Sequence, residues 1–222
     1  MNTIPTAPLR IAVFGATGHI GSAVCVEAVG RGHQVTALAR HAPEATTPKG
    51  TTAVRVDVLD PLAVADVVAG HDAVVAALAG RDPGAARTVP EAARLLLTVL
   101  PGVGVKRLIF IGGGASLRDP SGRRFLDDPN LPEQYRPEAA AAAEALEIFR
   151  ASDSTLDWTY LSPPPMHLVD GDKTGRYRSQ PGDRPVADAG GESRITLGDL
   201  AAAAIDAAES DNFRRQRFTV GY

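Results

Sequence analysis

The stretch Arg10-Ile-Ala-Val-Phe14-Gly15-Ala-Thr-Gly18-His-Ile-Gly21 decides the fold. Its first five residues are a short apolar run of strand formers that stops at Gly15, and from His19 to about Gly30 the apolar residues recur at helical spacing. A strand, a glycine turn and a helix in that order aim backbone amides and a helix N-terminus at one point, where a phosphate can sit. Gly15 permits the sharp turn, Gly18 lets a phosphate approach the backbone, and Gly21 lets the helix pack against the sheet. The turn also opens a strand–helix–strand unit of roughly 30 residues, so Gly15, Thr17, Gly18, His19, Ile20 and Gly21 are expected to hold the pyrophosphate of a dinucleotide. The alternative is an ordinary tight turn.

Outward from this unit the alternation continues. Further strands are expected at 34–38, 53–56, 71–77 and 106–111, short and rich in β-branched residues, as buried parallel strands are. Pro61 fits the first turn of a helix over 61–68, and a second runs over 90–100 until Pro101-Gly102 ends it. Between 115 and 136 no periodicity survives, and Pro120, Pro129 and Pro132 mark a lid, a binding loop or a disordered stretch. Pro137 opens an alanine-rich helix to about 150, and a strand follows at 158–161. Short strands come after Met166, then a helix over about 197–209 entered through the capping box Thr196-Leu-Gly-Asp199, and a last strand at 217–220. Strands alternating with helices predict a Rossmann-type α/β fold: a doubly wound parallel sheet with a small C-terminal extension. We expect a single domain over 1–222, with 1–161 as the cofactor-binding core and 162–222 as substrate-side loops and closing elements.

Composition narrows the function. Of 222 residues 44% are hydrophobic and 22% charged, the range of a globular domain. The 23 Lys+Arg against 26 Asp+Glu leave a net charge of −3 without a basic stripe, which argues against a nucleic-acid partner. Cys25 stands alone, excluding an internal disulfide and thiolate-based metal chemistry, and reads as a small buried hydrophobe. Residues 1–10 lack a signal peptide's cationic start, and no apolar run approaches the ~20 residues that span a bilayer, so a cytoplasmic location with no membrane partner is expected.

Where an NAD-selective site places an acid for the ribose hydroxyls, this chain has Ala39-Arg40-His41. Arg40 can pair with a 2′-phosphate and lay its plane on the adenine, which points to NADP(H). Asp57, after the third strand, is placed either to accept from the adenine amino group or to cap the next helix.

The GxxGxxG turn at 15–21, Asp57 and the 76–80 loop together resemble the atypical short-chain dehydrogenase/reductase group, specifically the NAD(P)H-binding proteins near the NmrA-like and flavin/biliverdin reductase-like proteins. Leu156-Asp-Trp-Thr-Tyr160, Ser162-Pro-Pro-Pro-Met-His167, Thr174-Gly-Arg-Tyr177, Ser193-Arg-Ile-Thr196 and Asp199 follow the same order as in those reductases. The resemblance implies that the loops after the first four strands hold the cofactor, which adds Val58, Ala77, Leu78, Ala79 and Gly113. It also implies that Ser116 and the 163–167 loop, with Pro163 and Pro164, border the nicotinamide.

One departure carries mechanistic weight. None of Lys49, Lys106 and Lys173 has a tyrosine four residues before it, so the Tyr-x-x-x-Lys pair that protonates a developing alkoxide is absent. Acceptors that delocalise the incoming electrons, such as a flavin, quinone or tetrapyrrole, fit better, because the protein then mainly holds two rings face to face. Ser116 is a candidate donor to the acceptor or the nicotinamide amide, with a turn serine as the alternative. His167 is a candidate proton source or an exposed loop histidine, and Tyr135 either stacks on an aromatic acceptor or anchors its loop. Asp170 and Asp172 read as solvated turn acids. The leading expectation is an NADPH-dependent reductase of a small conjugated acceptor, as a monomer or homodimer. An NADP(H)-sensing NmrA-like regulator without catalysis, and a cofactor-assisted epimerase, dehydratase or cyclase, remain as alternatives.

Overall fold

Strands Arg10–Phe14 (β1), Ala73–Ala76 (β4) and Arg107–Ile111 (β5) are buried almost end to end, as strands covered on both faces must be. The computed structural model describes residues 7–41, 47–79, 85–165 and 168–222. To these strands it adds Gln34–Ala39 (β2), Thr51–Arg55 (β3), Asp157–Ser162 (β6), Leu168–Val169 (β7), Arg178–Pro181 (β8), Ile195–Thr196 (β9) and Gln216–Gly221 (β10). The helices are His19–Gly30 (α1), Pro61–Val68 (α2), Thr88–Gly102 (α3), Arg136–Ala151 (α4) and Leu197–Glu209 (α5).

Eight strands form one sheet in the order β3-β2-β1-β4-β5-β6-β10-β8. Every pairing in it is parallel except β10 with β8, so the doubly wound sheet expected from the sequence carries an antiparallel edge. Side chains alternate between two cores. Ala12, Phe14, Leu108, Phe110, Trp158 and Tyr160 pack with α2, α3 and α4, whereas Ile11, Val13, Ile109, Ile111 and Leu161 pack with α1 and α5. Cys25 lies wholly inside the second core, and burial pushes its thiol up to about 12.

Element bounds differ from the expectation where distant contacts intervene. The strand expected over 71–77 shortens because His71 and Asp72 belong to its entry turn: the Asp72 carboxylate accepts from the Arg10 amide at 2.7 Å, and the His71 ring bonds Thr36 Oγ1 at 2.8 Å. Helix α3 runs through Pro101 rather than stopping before it. Proline at 101 cannot donate to the Leu97 carbonyl, and Ser154 Oγ does so instead at 2.9 Å. Residues 115–135 are ordered, with turns at Phe125–Asp127 and Glu133–Tyr135 and the Arg118–Arg124 bridge. Arg136 donates to the Asp128 carbonyl at 2.9 Å, and Leu126 N donates to Ala115 O at 2.7 Å, so the segment's backbone is pinned from both sides.

Candidate functional site

The turn after β1 is shaped by side chains that are missing. Gly15 sits at φ +76°, and a Cβ there would lie 2.2 Å from the Ala77 carbonyl oxygen; a Cβ at Gly21 would lie 2.1 Å from the Gly15 carbonyl oxygen. The turn, the first turn of α1 and the exit of β4 are therefore in backbone contact. Helix α1 starts after Gly18 with no side-chain cap and no acid in its first turn. Its free amides and the positive end of its dipole are left for an anion. This cradle fits a dinucleotide's pyrophosphate.

The cradle opens into a cleft of about 490 Å³ across the C-terminal ends of four neighbouring strands. Gly18, His19 and Ile20 follow β1; Ala77, Leu78 and Ala79 follow β4; Gly112 to Ala115 follow β5; Pro163 and Pro164 follow β6. The chain order reverses between β1 and β4, so the cleft lies at the switch point where such sheets bind ligands. Tyr135, Glu138, Ala139 and Ala142 form the opposite wall, with Leu131, Val89 and Leu168 beside them. Of the residues assigned to the cofactor from sequence, Gly18, His19, Ile20, Ala77, Leu78, Ala79, Gly113, Pro163 and Pro164 line this one space.

The glycines of the 112–114 run have separate duties. A Cβ at Gly112 would fall 1.9 Å from the Tyr160 hydroxyl oxygen, and one at Gly114 would fall 2.5 Å from the Pro163 carbonyl oxygen. These two let the strand exit pack on its neighbours, and a Cβ at Gly113 would lie 3.0 Å from the Ala142 methyl on the opposite wall, although all three line the cleft. Tyr160 itself is occupied: its hydroxyl donates to the Ala142 carbonyl at 2.6 Å, and burial pushes its pKa well above the usual phenol range.

Behind the cleft floor lies a buried cation that the sequence reading missed. The Arg217 side chain is 2% exposed. Its Nε donates to Ser162 Oγ at 2.9 Å, its Nη2 to Ser116 Oγ at 3.0 Å, and its Nη1 reaches Ser116 O and Asp183 Oδ1, each at 3.2 Å. Ser162 Oγ in turn donates to the Gly113 carbonyl at 3.0 Å. Ser116 thus lines a different depression, shared with Arg118, Arg124 and Arg150, and its hydroxyl serves Arg217.

Arg40 stands exposed at the end of β2. Asp57 is exposed as well and accepts from the Leu59 amide at 3.0 Å; the cap of α2 is Asp60, which accepts from Leu62 and Ala63. Tyr135, 46% exposed, stands at the cleft wall. His167 lies outside the described residues. Asp170 is paired with His19 at 2.8 Å, which ties the glycine turn to the segment following β7, and Lys173 Nζ reaches Glu27 at 2.7 Å farther along α1. The same segment is anchored from below. Asp199, fully buried, accepts from Thr174 Oγ1 at 2.6 Å, Gly175 N at 2.8 Å and the Tyr222 hydroxyl at 2.6 Å, while Thr196 caps α5 as the capping box predicts.

Among the described residues no cluster of His, Cys, Asp and Glu could hold a metal ion, and no helix is long and apolar enough to cross a membrane.

Comparison with known proteins agrees with this geometry. Residues 15–211 match the NAD(P)H-binding family. The uncharacterised protein YwnB of Bacillus subtilis is 33% identical over 214 residues, which cover 96% of this chain and 98% of that protein. A structure from Streptococcus pneumoniae, provisionally named an NADH-flavin reductase, superposes with a TM-score of 0.84 at 30% identity over 96% of this chain and 99% of that one. Another from Bacteroides thetaiotaomicron, provisionally named an epimerase, gives a TM-score of 0.81 at 34% identity over 97% and 98%.

Proposed function

The chain belongs to the NAD(P)H-binding family, and from that premise we propose that it is an NADPH-dependent reductase of a small conjugated acceptor such as a flavin or quinone. The observation that carries this is the cleft itself: a predominantly apolar space at the strand ends, with Glu138 as its one carboxylate and no lysine among its described lining residues. A carbonyl reductase has to deliver a proton to an alkoxide from a tuned acid, whereas a conjugated acceptor spreads the charge over its rings. The likeness to a protein provisionally named an NADH-flavin reductase supports the same reading.

When bound, the cofactor supplies a hydride from the nicotinamide, and the acceptor's second hydrogen comes from water as a proton. The chain's own part is to bind the two partners and orient their rings. The 15–21 turn receives the pyrophosphate on backbone amides, and Arg40 pairs with the 2′-phosphate. Asp57 and Val58 border the adenine. The backbone of 77–79, Gly113, Pro163 and Pro164 forms the shelf for the nicotinamide, and Tyr135 offers a ring face to the acceptor. Ser116 contributes indirectly, as a partner of the arginine that braces this shelf.

Purified protein mixed with NADPH or NADH and, in turn, FMN, a quinone and an aldehyde tests the proposal by nicotinamide absorbance. NADPH consumption with a conjugated acceptor and none with the aldehyde is expected. Bound NADPH that no conjugated acceptor oxidises would overturn it. The likeness to a protein provisionally named an epimerase favours one second reading, in which the hydride returns to the substrate and NADPH shows no net change.

A further inference from the structure

Helix α4 is entered directly from the turn Glu133–Tyr135, so Tyr135, Glu138, Ala139 and Ala142 recur at i, i+3, i+4 and i+7 along one helical face. All four line the cleft, opposite the strand-end shelf. That face presents a ring, two methyl groups and a carboxylate side by side. Glu138 is the one carboxylate among the described lining residues, which apart from His19 and Tyr135 are otherwise glycines and apolar side chains. A carboxylate can only accept hydrogen bonds, and an apolar surround makes it costly to cover one without supplying a donor. Glu138 keeps an interaction within the protein, yet two oxygens with about four lone-pair directions leave room for a ligand donor as well.

We propose that Glu138 is the specificity-determining residue for the acceptor: it accepts a hydrogen bond from an N–H or O–H on the edge of a neutral planar ligand whose rings lie against Tyr135 and Ala139. This rests on the reductase reading and names the substrate class within it. Ligands with an imide, lactam or phenol edge are selected; ligands with a carboxylate or sulfonate at that edge are rejected by like charge. A site built around a hydrogen bond discriminates strongly against an analogue that lacks the matching hydrogen.

The test compares lumiflavin, which carries an imide N–H, with 3-methyllumiflavin, in which a methyl group replaces that hydrogen. Dissociation constants come from flavin fluorescence anisotropy, with the protein alone and with NADP⁺ present, so no turnover is needed. The wild-type protein is expected to prefer lumiflavin by roughly tenfold, the order of a hydrogen bond to a charged group. E138A should erase the preference, and E138Q, whose amide oxygen still accepts, should keep part of it, with melting temperatures confirming that both variants fold. Equal binding of the two flavins by the wild-type protein, an undiminished preference in E138A, or no binding of either flavin would overturn the assignment. A parallel NADPH oxidation assay with lumiflavin separates the two claims. Turnover without the preference removes the role of Glu138 and leaves the reductase; the preference without turnover removes the reductase and leaves the binding role.

Discussion

Replacing Gly21 by alanine adds one methyl group at the most crowded point of the cofactor cradle. The new Cβ would stand 2.1 Å from the Gly15 carbonyl oxygen and 2.7 Å from its carbon. Ordinary contact begins near 3.4 Å, so the two backbones must separate by about 1.3 Å, and neither is a flexible side chain that can swing away. Gly15 cannot yield toward β4, because its own Cβ direction is closed by the Ala77 carbonyl at 2.2 Å. Overpacking of this kind costs about 1–3 kcal/mol. At 2–4 °C per kcal/mol for a chain of this length, the melting temperature should drop by roughly 2–12 °C. A displacement near 1 Å in a positioning element also weakens function by up to about a hundredfold, and NADPH affinity should fall within that range. Gly30→Ala is the internal control, since nothing lies within 4 Å of a Cβ there. The same change in the same helix should stabilise by about 0.4–1 kcal/mol and leave NADPH binding alone. Thermal melts and NADPH fluorescence titrations on both variants decide the matter. A Gly21→Ala protein that melts and binds like the wild type would refute the argument that backbone contact shapes the cradle.

Arg40→Glu should weaken NADPH binding by about 1–3 kcal/mol and barely affect NADH, read by fluorescence titration; equal losses would mean that Arg40 does not meet the 2′-phosphate. Arg217→Met removes the cation that braces Ser116, Ser162 and Asp183. Urea unfolding should show a loss of about 3 kcal/mol, the lower end of the range for a broken buried pair, because Asp183 keeps Arg150. Asp199→Asn turns an amide N–H₂ toward donors and should cost at least about 1–3 kcal/mol near neutral pH. Burial works against ionisation at Asp199, but hydrogen bonds from Thr174, Tyr222, Gly175 and Thr196 hold its carboxyl below the usual range. A carboxyl depressed in the folded state contributes fully above its unfolded pKa of about 3.9 and loses that contribution as pH falls through the lower folded value. The gap between Asp199→Asn and wild-type urea midpoints should therefore be widest above about pH 4 and narrow toward pH 2; a constant gap would contradict the assignment.

What the sequence shows and what it hides follow from the range of the interactions involved. The glycine turn, the buried strands β1 and β5 and the capping box at Thr196 are local patterns, and each forms where the residues indicate, whereas β3, which reads as a buried strand too, lies at the sheet edge with none of its residues buried. Features that depend on distant partners do not announce themselves. The continuation of α3 through Pro101 needs Ser154, 57 residues from the carbonyl it satisfies. Ser116, next to a glycine run at a strand end, reads as a ligand donor, and its hydroxyl accepts from Arg217, 101 residues away, a partner no local pattern announces. Asp170 reads as a solvated turn acid and is exposed, yet it meets His19 across the mouth of the cleft. Glu138 was within reach of sequence reasoning. Its spacing from Tyr135 and Ala142 puts all three on one helical face, and the signal is lost when the helix is started at Pro137 and the alanine run is read only as a helix former.

Hydride transfer from NADPH to an acceptor held against the α4 face is tested by an anaerobic single turnover with NADPH deuterated at the transferring position of the nicotinamide. Flavin reduction and nicotinamide oxidation are expected to proceed together, with deuterium slowing both and NADP⁺ accumulating to the amount of flavin reduced. Retention of all the NADPH with no flavin reduction would contradict it, and so would flavin reduction at a rate that deuterium leaves unchanged and the protein does not accelerate.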